Sequence, residues 1–318
     1  MTTGRIDLHQ HLVPRVFAEA FAAAGGGHAL PGWSPSGALA VMDEHAIATG
    51  VLSLSMPGTH FGDDAAARRL TEQVNDLQAE LVKDRPDRFG MFATLPLPDV
   101  DGALAALAHA DDVLKADGVI LLANHRGTYL GDPAFDPVMA ELDRRGTLVF
   151  IHPANLPGPA VPGLAPAVAD FLLDTTRAAI SMVLHGVPRR YPNVRMILSH
   201  AGGFVPYAAH RIAHLTGAIE RVTPREGLGP GLNQETVLDD LRSFWFDTAL
   251  SGSPTALPGL LAFARPDHVV FGSDWPFAPT ETVGYFTDGL DAFPAIDAAG
   301  HAAIDRGNAE VLLPRLAG

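Results

Sequence analysis

Two histidines stand two apart at the end of a short apolar run near the start of the chain, Ile6-Asp7-Leu8-His9-Gln10-His11. On a β-strand, side chains two apart share a face with Cα atoms roughly 7 Å apart, so both imidazoles could reach one metal ion. The pair alone is a weak signal. With 14 His in 318 residues, chance supplies about 0.6 His-x-His pairs per chain. Further polar residues recur where other apolar runs end: His152 in VFIHP, His200 in ILSHAGG and Asp274 in FGSDWPF. Singly, each has a plain structural reading, a satisfied strand-end histidine or an aspartate capping the next turn. Together, at the same end of several elements, they read as a metal site. The chain has no cysteine, so any metal must be held by His, Asp or Glu.

The elements that must position these residues are short β-rich runs alternating with longer helical stretches. Candidate strands are 5–9, 50–55, 89–94, 118–123, 148–152, 195–200, 244–247 and 268–272. Most are nearly continuous apolar runs, as buried parallel strands read. Between them, 64–83 places Leu70, Val74, Leu77 and Leu81 on one helix face, and 100–114, 133–145, 165–184 and 204–219 read similarly. This alternation predicts a (β/α)8 TIM barrel, distorted, with long loops over its C-terminal face, where strand-end residues converge. An open doubly wound sheet is the alternative. It is disfavoured because no G-x-G-x-x-G follows the first strand and no P-loop occurs. No linker divides the chain, so residues 1–318 read as one domain. The Gly/Pro-rich stretches 25–35 and 155–166 read as βα loops over the site, and the Ala-rich tail 293–316 as a terminal helix outside the barrel.

Composition sets outer bounds. Hydrophobic residues make up 47% and charged residues 18%, enough apolar mass for a sizeable core. The net charge is −14, which argues against nucleic acid and anionic membranes as partners, since both select basic patches. The N-terminus shows no apolar signal-peptide region, and no run reaches the ~18 apolar residues of a transmembrane helix. A cytoplasmic protein with a small-molecule substrate is expected.

The motifs resemble those of the amidohydrolase superfamily. The similarity lies in the amidohydrolase family 2 group, which includes aminocarboxymuconate-semialdehyde, resorcylate, dihydroxybenzoate and 6-methylsalicylate decarboxylases. It runs from IDLHQH through YLGDPAFDPVMAEL, VFIHP, RRYPNVRMILSHAGG and FDTA to VFGSDWP. ATLPLPDVDGAL and DTTRAAI are similar to the methylsalicylate-decarboxylase branch. The resemblance implies that His9, His11, His152 and Asp274 bind a single divalent metal, Zn2+ or alternatively Mn2+. It implies that His200 is the catalytic histidine and that Asp274 doubles as the acid. The carboxylated lysine that bridges two metals in binuclear relatives has no counterpart in GVILLANHRG, which points to one metal. Non-oxidative decarboxylation of a salicylate-like acid is the implied activity. Hydrolysis of a lactone, ester or amide on the same site is the alternative, and a homodimer is the implied assembly.

Other residues carry two readings each. Arg211, eleven residues after His200, matches an arginine that in the family's semialdehyde decarboxylase binds substrate carboxylate from the neighbouring subunit, or is a solvated helix residue. His60 and His125 follow the second and fourth strands and face the pocket or bond to backbone. Trp275, and after it Phe61, Trp33 and Tyr129, could wall an aromatic ring or pack a lid. Arg15 and Arg126 are carboxylate clamps or exposed. Asp247 orients a neighbour, and Asp7 lies behind the histidines as a residue that orients ligands.

Overall fold

The apolar runs pair side by side in chain order. In the computed structural model, which describes residues 4–27, 29–222, 228–229 and 231–317, they form one parallel eight-stranded sheet. The strands are β1 (Arg5–His11), β2 (Ile47–Ser53), β3 (Phe89–Thr94), β4 (Gly118–Leu122), β5 (Leu148–His152), β6 (Arg195–Leu198), β7 (Trp245–Asp247) and β8 (Val269–Val270). The sheet closes into a (β/α)8 barrel through main-chain bonds between β1 and the segment after β8. Leu8 N–H donates to Phe271 O (3.1 Å), Asp274 N–H to His9 O (2.7 Å) and His11 N–H to Trp275 O (2.7 Å).

Helices return the chain between strands. After β1 come α1 (Arg15–Ala23) and α2 (Pro35–Glu44), after β2 α3 (Asp64–Asp84), after β3 α4 (Val100–His109) and after β4 α5 (Asp136–Arg145). After β5 come α6 (Asp170–Leu184) and α7 (Val187–Arg190), and after β6 α8 (Val205–Val222) and α9 (Gln234–Ser243). After β7 comes α10 (Leu257–Phe263), and after β8 α11 (Thr280–Asp291), α12 (Ala298–Ala302) and α13 (Asn308–Leu312). Local signals explain their starts: the side chains of Ser34, Asp63 and Asp99 accept from Gly37, Ala66 and Gly102 N–H, filling donors that a helix N-terminus leaves open. Among the described residues no helix is long and apolar enough to cross a membrane.

Each strand is buried on both sides, which is why the runs look continuous in sequence. Val119, Leu121, Val149 and Ile151 face the helix layer, while Val51, Phe92, Ile120, Phe150 and Ile197 fill the barrel interior. The expected strands 89–94 and 148–152 are observed unchanged. β8 shrinks from 268–272 to two residues, and β6 ends at Leu198 rather than at 200. In both places the backbone turns left-handed at the candidate site residue itself: His200 and Asp274 have φ of 53° and 62°. The stretch 100–114 breaks into α4 and a π-turn over Ala110–Leu114, closed by Lys115 at φ 57°.

The C-terminal tail is helical, but in short pieces, and it lies under the barrel rather than along its outer wall. Ala309, Leu312, Leu313 and Leu316 join the interior cluster of Ile6, Val51, Phe92 and Ile197. They plug the amino-terminal end, opposite the strand ends that carry the histidines. Leu312→Ala is expected to cost about 2–5 kcal/mol, read as a lower thermal midpoint; an unchanged midpoint would mean that the tail is not part of the core.

Candidate metal centre

β1 departs from simple alternation. Asp7 pairs with Gly50 but Gln10 with Leu52, so one extra residue is inserted between them. A bulge of this kind re-aims the side chains that follow it. Ile6 and Leu8 below it pack in the barrel interior with Phe150. His9 and His11 above it also turn inward: the His9 ring lies 4.7 Å from Phe150 and that of His11 4.7 Å from His152. Gly272 makes room for this, since a Cβ there would meet His9 Cβ at 2.8 Å.

Three imidazoles are tethered from behind. His9 Nδ1 is 2.6 Å from Asp247 Oδ2, His11 Nδ1 is 2.9 Å from Ser53 Oγ, and His152 Nδ1 is 2.9 Å from Pro153 O. Carbonyl and carboxylate oxygens only accept, so Nδ1 of His9 and His152 carries the proton, and Nε2 of each ring is left for the centre. His9 Nε2 and His11 Nε2 lie 3.1 Å apart, and Asp274 Oδ1 lies 3.2 and 3.1 Å from them. Ligands about 2.0–2.2 Å from a tetrahedral ion sit about 3.4 Å from one another. The donor atoms of His9, His152, His200 and Asp274 all fall within 4.8 Å of one another, and all four residues are buried.

The electrostatics fit a cation at this point. Burial opposes a charge on His9, but Asp247 and Asp274 outweigh it and hold the imidazole up at about 10. Burial, followed by the neighbouring His11 and His9, pushes His152 well below the usual range. Burial works against an ionised Asp274 too, yet His9, His11 and His200 keep it well below the ordinary carboxylate range. Asp274 Oδ1 is buried and makes no well-formed hydrogen bond. A cluster that draws a proton onto a fully buried ring has the charge deficit that a divalent ion would fill.

His200 differs from the other three histidines. Its Nε2 is 3.2 Å from Asp274 Oδ2, while its Nδ1 is buried without a partner. Its main-chain N–H donates to Asp247 Oδ1 at 2.8 Å, the carboxylate whose other oxygen holds His9. His200, Ala201, Leu250 and Asp274 all adopt positive φ, a conformation costing roughly 1–3 kcal/mol for a residue with a side chain.

His152, His200 and Asp274 reach the floor of a cavity of about 650 Å³; His9 and His11 lie beneath it, fully buried. The wall is largely apolar: Met56, Phe171, Leu172, Leu250, Phe277 and Phe286. Among the described residues its remaining polar side chains are Ser55, Asn155 and Thr282, and no Lys or Arg lines it. Arg211 is exposed on α8 and outside the lining. Trp275 is buried behind the cavity, and Phe277, edge-on to His11 at 5.4 Å, occupies the wall instead. His60 is held by Asp64 (2.8 Å), and His125 sits in a separate small pocket beside Leu97 and Leu122. Arg15 pairs with Glu19, Arg126 is exposed, Phe61 packs on Phe17, and Tyr129 donates to Asp174. Asp7 accepts from the main chain of His9 and from Ser273, and it meets no imidazole nitrogen.

Sequence reasoning missed Asp174. It is fully buried on α6 and accepts from Asn124 Nδ2 (2.9 Å), Tyr129 OH (2.8 Å) and Ala154 N–H (2.8 Å). It thereby pins the loops after β4 and β5. An aspartate at a position where α6 otherwise buries Ala178, Met182 and their neighbours was the available signal. The apolar wall gave none, because Phe171 or Leu250 reads like any core residue.

Comparison with known proteins gives a consistent picture. A family model described as Amidohydrolase matches residues 6–315. The chain is 37% identical to the decarboxylase yanB of Aspergillus niger, over 98% of this chain and 88% of that protein. It is 35% identical to the 6-methylsalicylic acid decarboxylase of Penicillium expansum, over 99% and 97%. A crystal structure described as an amidohydrolase II superposes with a TM-score of 0.89 at 32% identity, covering 98% of this chain and 99% of that one.

Asp247→Asn is expected to lower divalent-metal affinity 10–100-fold with the fold retained, read by metal titration and circular dichroism; unaltered affinity would show that the His9 tether does not matter. His125 supplies a pH test. Burial holds it down at about 4, against 6.5 for a free histidine. Between those values the unfolded chain binds a proton that the folded one refuses. Stability should therefore be full above pH 6.5 and fall by about 3 kcal/mol as pH drops to 4. His125→Leu should flatten that part of the stability curve; an equal decline in the variant would assign it to other groups.

Proposed function

This chain belongs to the amidohydrolase family and is one of its carboxy-lyases, and we propose that it removes CO2 without oxidation from a small hydroxylated aromatic acid, such as a salicylate derivative. One observation carries this reading: the cavity joins an ionisable floor to an apolar wall and, among the described residues, has no Lys or Arg in its lining. An aromatic acid entering it finds contacts for its ring on every side but only one place for its charge. In an apolar cavity an unpaired carboxylate is strongly disfavoured, so the acid group must lie at the floor and the ring against the wall.

His9, His11, His152 and Asp274 would hold a single divalent ion, Zn2+ being the natural choice for three imidazoles and one carboxylate. When bound, such an ion supplies Lewis-acid charge for the carboxylate and the adjacent phenolic oxygen. The protein's own part is the proton. The His200–Asp274 pair, with Nε2 and Oδ2 at 3.2 Å, shares one at the cavity floor. It passes to the ring carbon that bears the carboxylate; the carbon–carboxyl bond then breaks, its electron pair restores the aromatic ring, and CO2 leaves. An anionic acid and one proton thus yield a phenol and CO2. The imidazole suits this task because one ring nitrogen can donate a proton while the other accepts one, and the unpartnered Nδ1 leaves the ring a second route for reprotonation.

The test is CO2 release and phenol formation from a panel of ortho-hydroxybenzoates, including 6-methylsalicylate and dihydroxybenzoates, with metal content measured on the same protein. Metal-dependent release is expected. His200→Ala should keep near-normal metal content while turnover falls at least 100-fold, and His152→Ala should lose the metal. No release from any acid, with one metal bound per chain, would overturn the proposal in favour of hydrolysis of a lactone, ester or amide.

A further inference from the structure

The cavity is larger and more apolar than one small ring acid requires. At about 650 Å³ it lies well inside the range of sites that enclose drug-sized ligands, whereas a methylated salicylate is a single ring with two small substituents. The surplus has a direction. The Phe171 ring centroid is 6.5 Å from that of His152 at the floor, and Phe171 packs against the cluster of Met56, Leu122 and Ala154. Three residues before it in sequence, Val168 lines the same cavity while 67% exposed. Phe286 of α11 and Leu250, after β7, contribute to the same wall. An apolar surface thus leads from the ionisable floor to solvent and ends in an uncovered valine.

From this surface we infer that the preferred substrate carries an alkyl chain of several carbons on its ring, and that the chain runs outward along Phe171 to Val168. The inference rests on the aromatic-acid reading above and extends it to a substrate class. Additional ring hydroxyls are disfavoured by the same wall. Beyond the floor, among the described residues, only Ser55, Asn155 and Thr282 offer polar side chains, and a hydroxyl buried against Phe or Leu loses its hydrogen bonds to water. A second charged substituent meets no Lys or Arg among the described lining residues.

The decisive measurement separates binding from turnover. 3-Alkylphenols from methyl to pentyl, the products that 6-alkylsalicylates would leave, are titrated calorimetrically into the metal-loaded protein. Release of CO2 from the matching acids is followed in parallel. Affinity is expected to rise about fourfold per added methylene through pentyl, and kcat/KM for the acids to favour the longer chains over 2,6-dihydroxybenzoate. Val168→Asp should remove the gain contributed by the outermost carbons, and Val168→Leu should keep it. An affinity that peaks at methyl and then falls would overturn the inference, as would a gain that Val168→Asp leaves intact. A rising phenol series without CO2 from any acid would uphold the chain-binding surface and instead overturn decarboxylation.

Discussion

One buried carboxylate fixes both halves of the candidate site. Asp247, at the end of β7, holds the His9 ring with one oxygen and the main-chain N–H of His200 with the other. The same Oδ1 accepts from Ala249 N–H at 3.0 Å. The inward-facing ring on β1 and the histidine that follows β6 are thereby referred to a single rigid point. Neither position is comfortable alone. His9 is fully buried and reaches the interior only through a bulge, and His200 sits at positive φ. A buried carboxylate is tolerated where several hydrogen-bond partners meet it, as His9, His200 and Ala249 do here.

Around that point, left-handed backbone and ionisable groups meet in the cavity lining. Among the described residues, His200, Leu250 and Asp274 combine left-handed backbone with a place in the cavity lining. The opposite end is filled by the C-terminal plug, whose Leu312, Leu313 and Leu316 join the interior cluster while Asn308 Nδ2 donates to Val269 O. The left-handed residues of the cavity lining depend on such packing to stay in place.

Much of the barrel was legible in the sequence because parallel strands buried on both faces leave continuous apolar runs, and 89–94 and 148–152 are observed unaltered. Helices such as Arg15–Ala23 and Gln234–Ser243 were not anticipated, since a stretch of only 9 or 10 residues beside a Gly/Pro-rich loop shows too few turns for its apolar face to stand out. The histidines and Asp274 were legible as residues that could ligate, because polar side chains interrupt otherwise apolar ends. Their orientation was not. Alternation alone would place Leu8 and His9 on opposite faces, and only the bulge seen in the strand pairing brings both inward. Apolar wall residues such as Phe171 and Phe286 were illegible for a different reason: a residue that contacts a ligand and one that contacts the core obey the same preference for burial.

The seam that closes the barrel runs from Leu8, His9 and His11 to Phe271, Asp274 and Trp275, joining the first strand to nearly the last part of the chain. During synthesis His9 and His11 therefore emerge early and wait. Until Asp247 and Asp274 have left the ribosome, the two histidines have neither their tether nor their carboxylate neighbour. The donor set is complete only after residue 274 has been made, so whatever cation it takes is selected by the closed barrel and the ions then around it, not by the first strand alone.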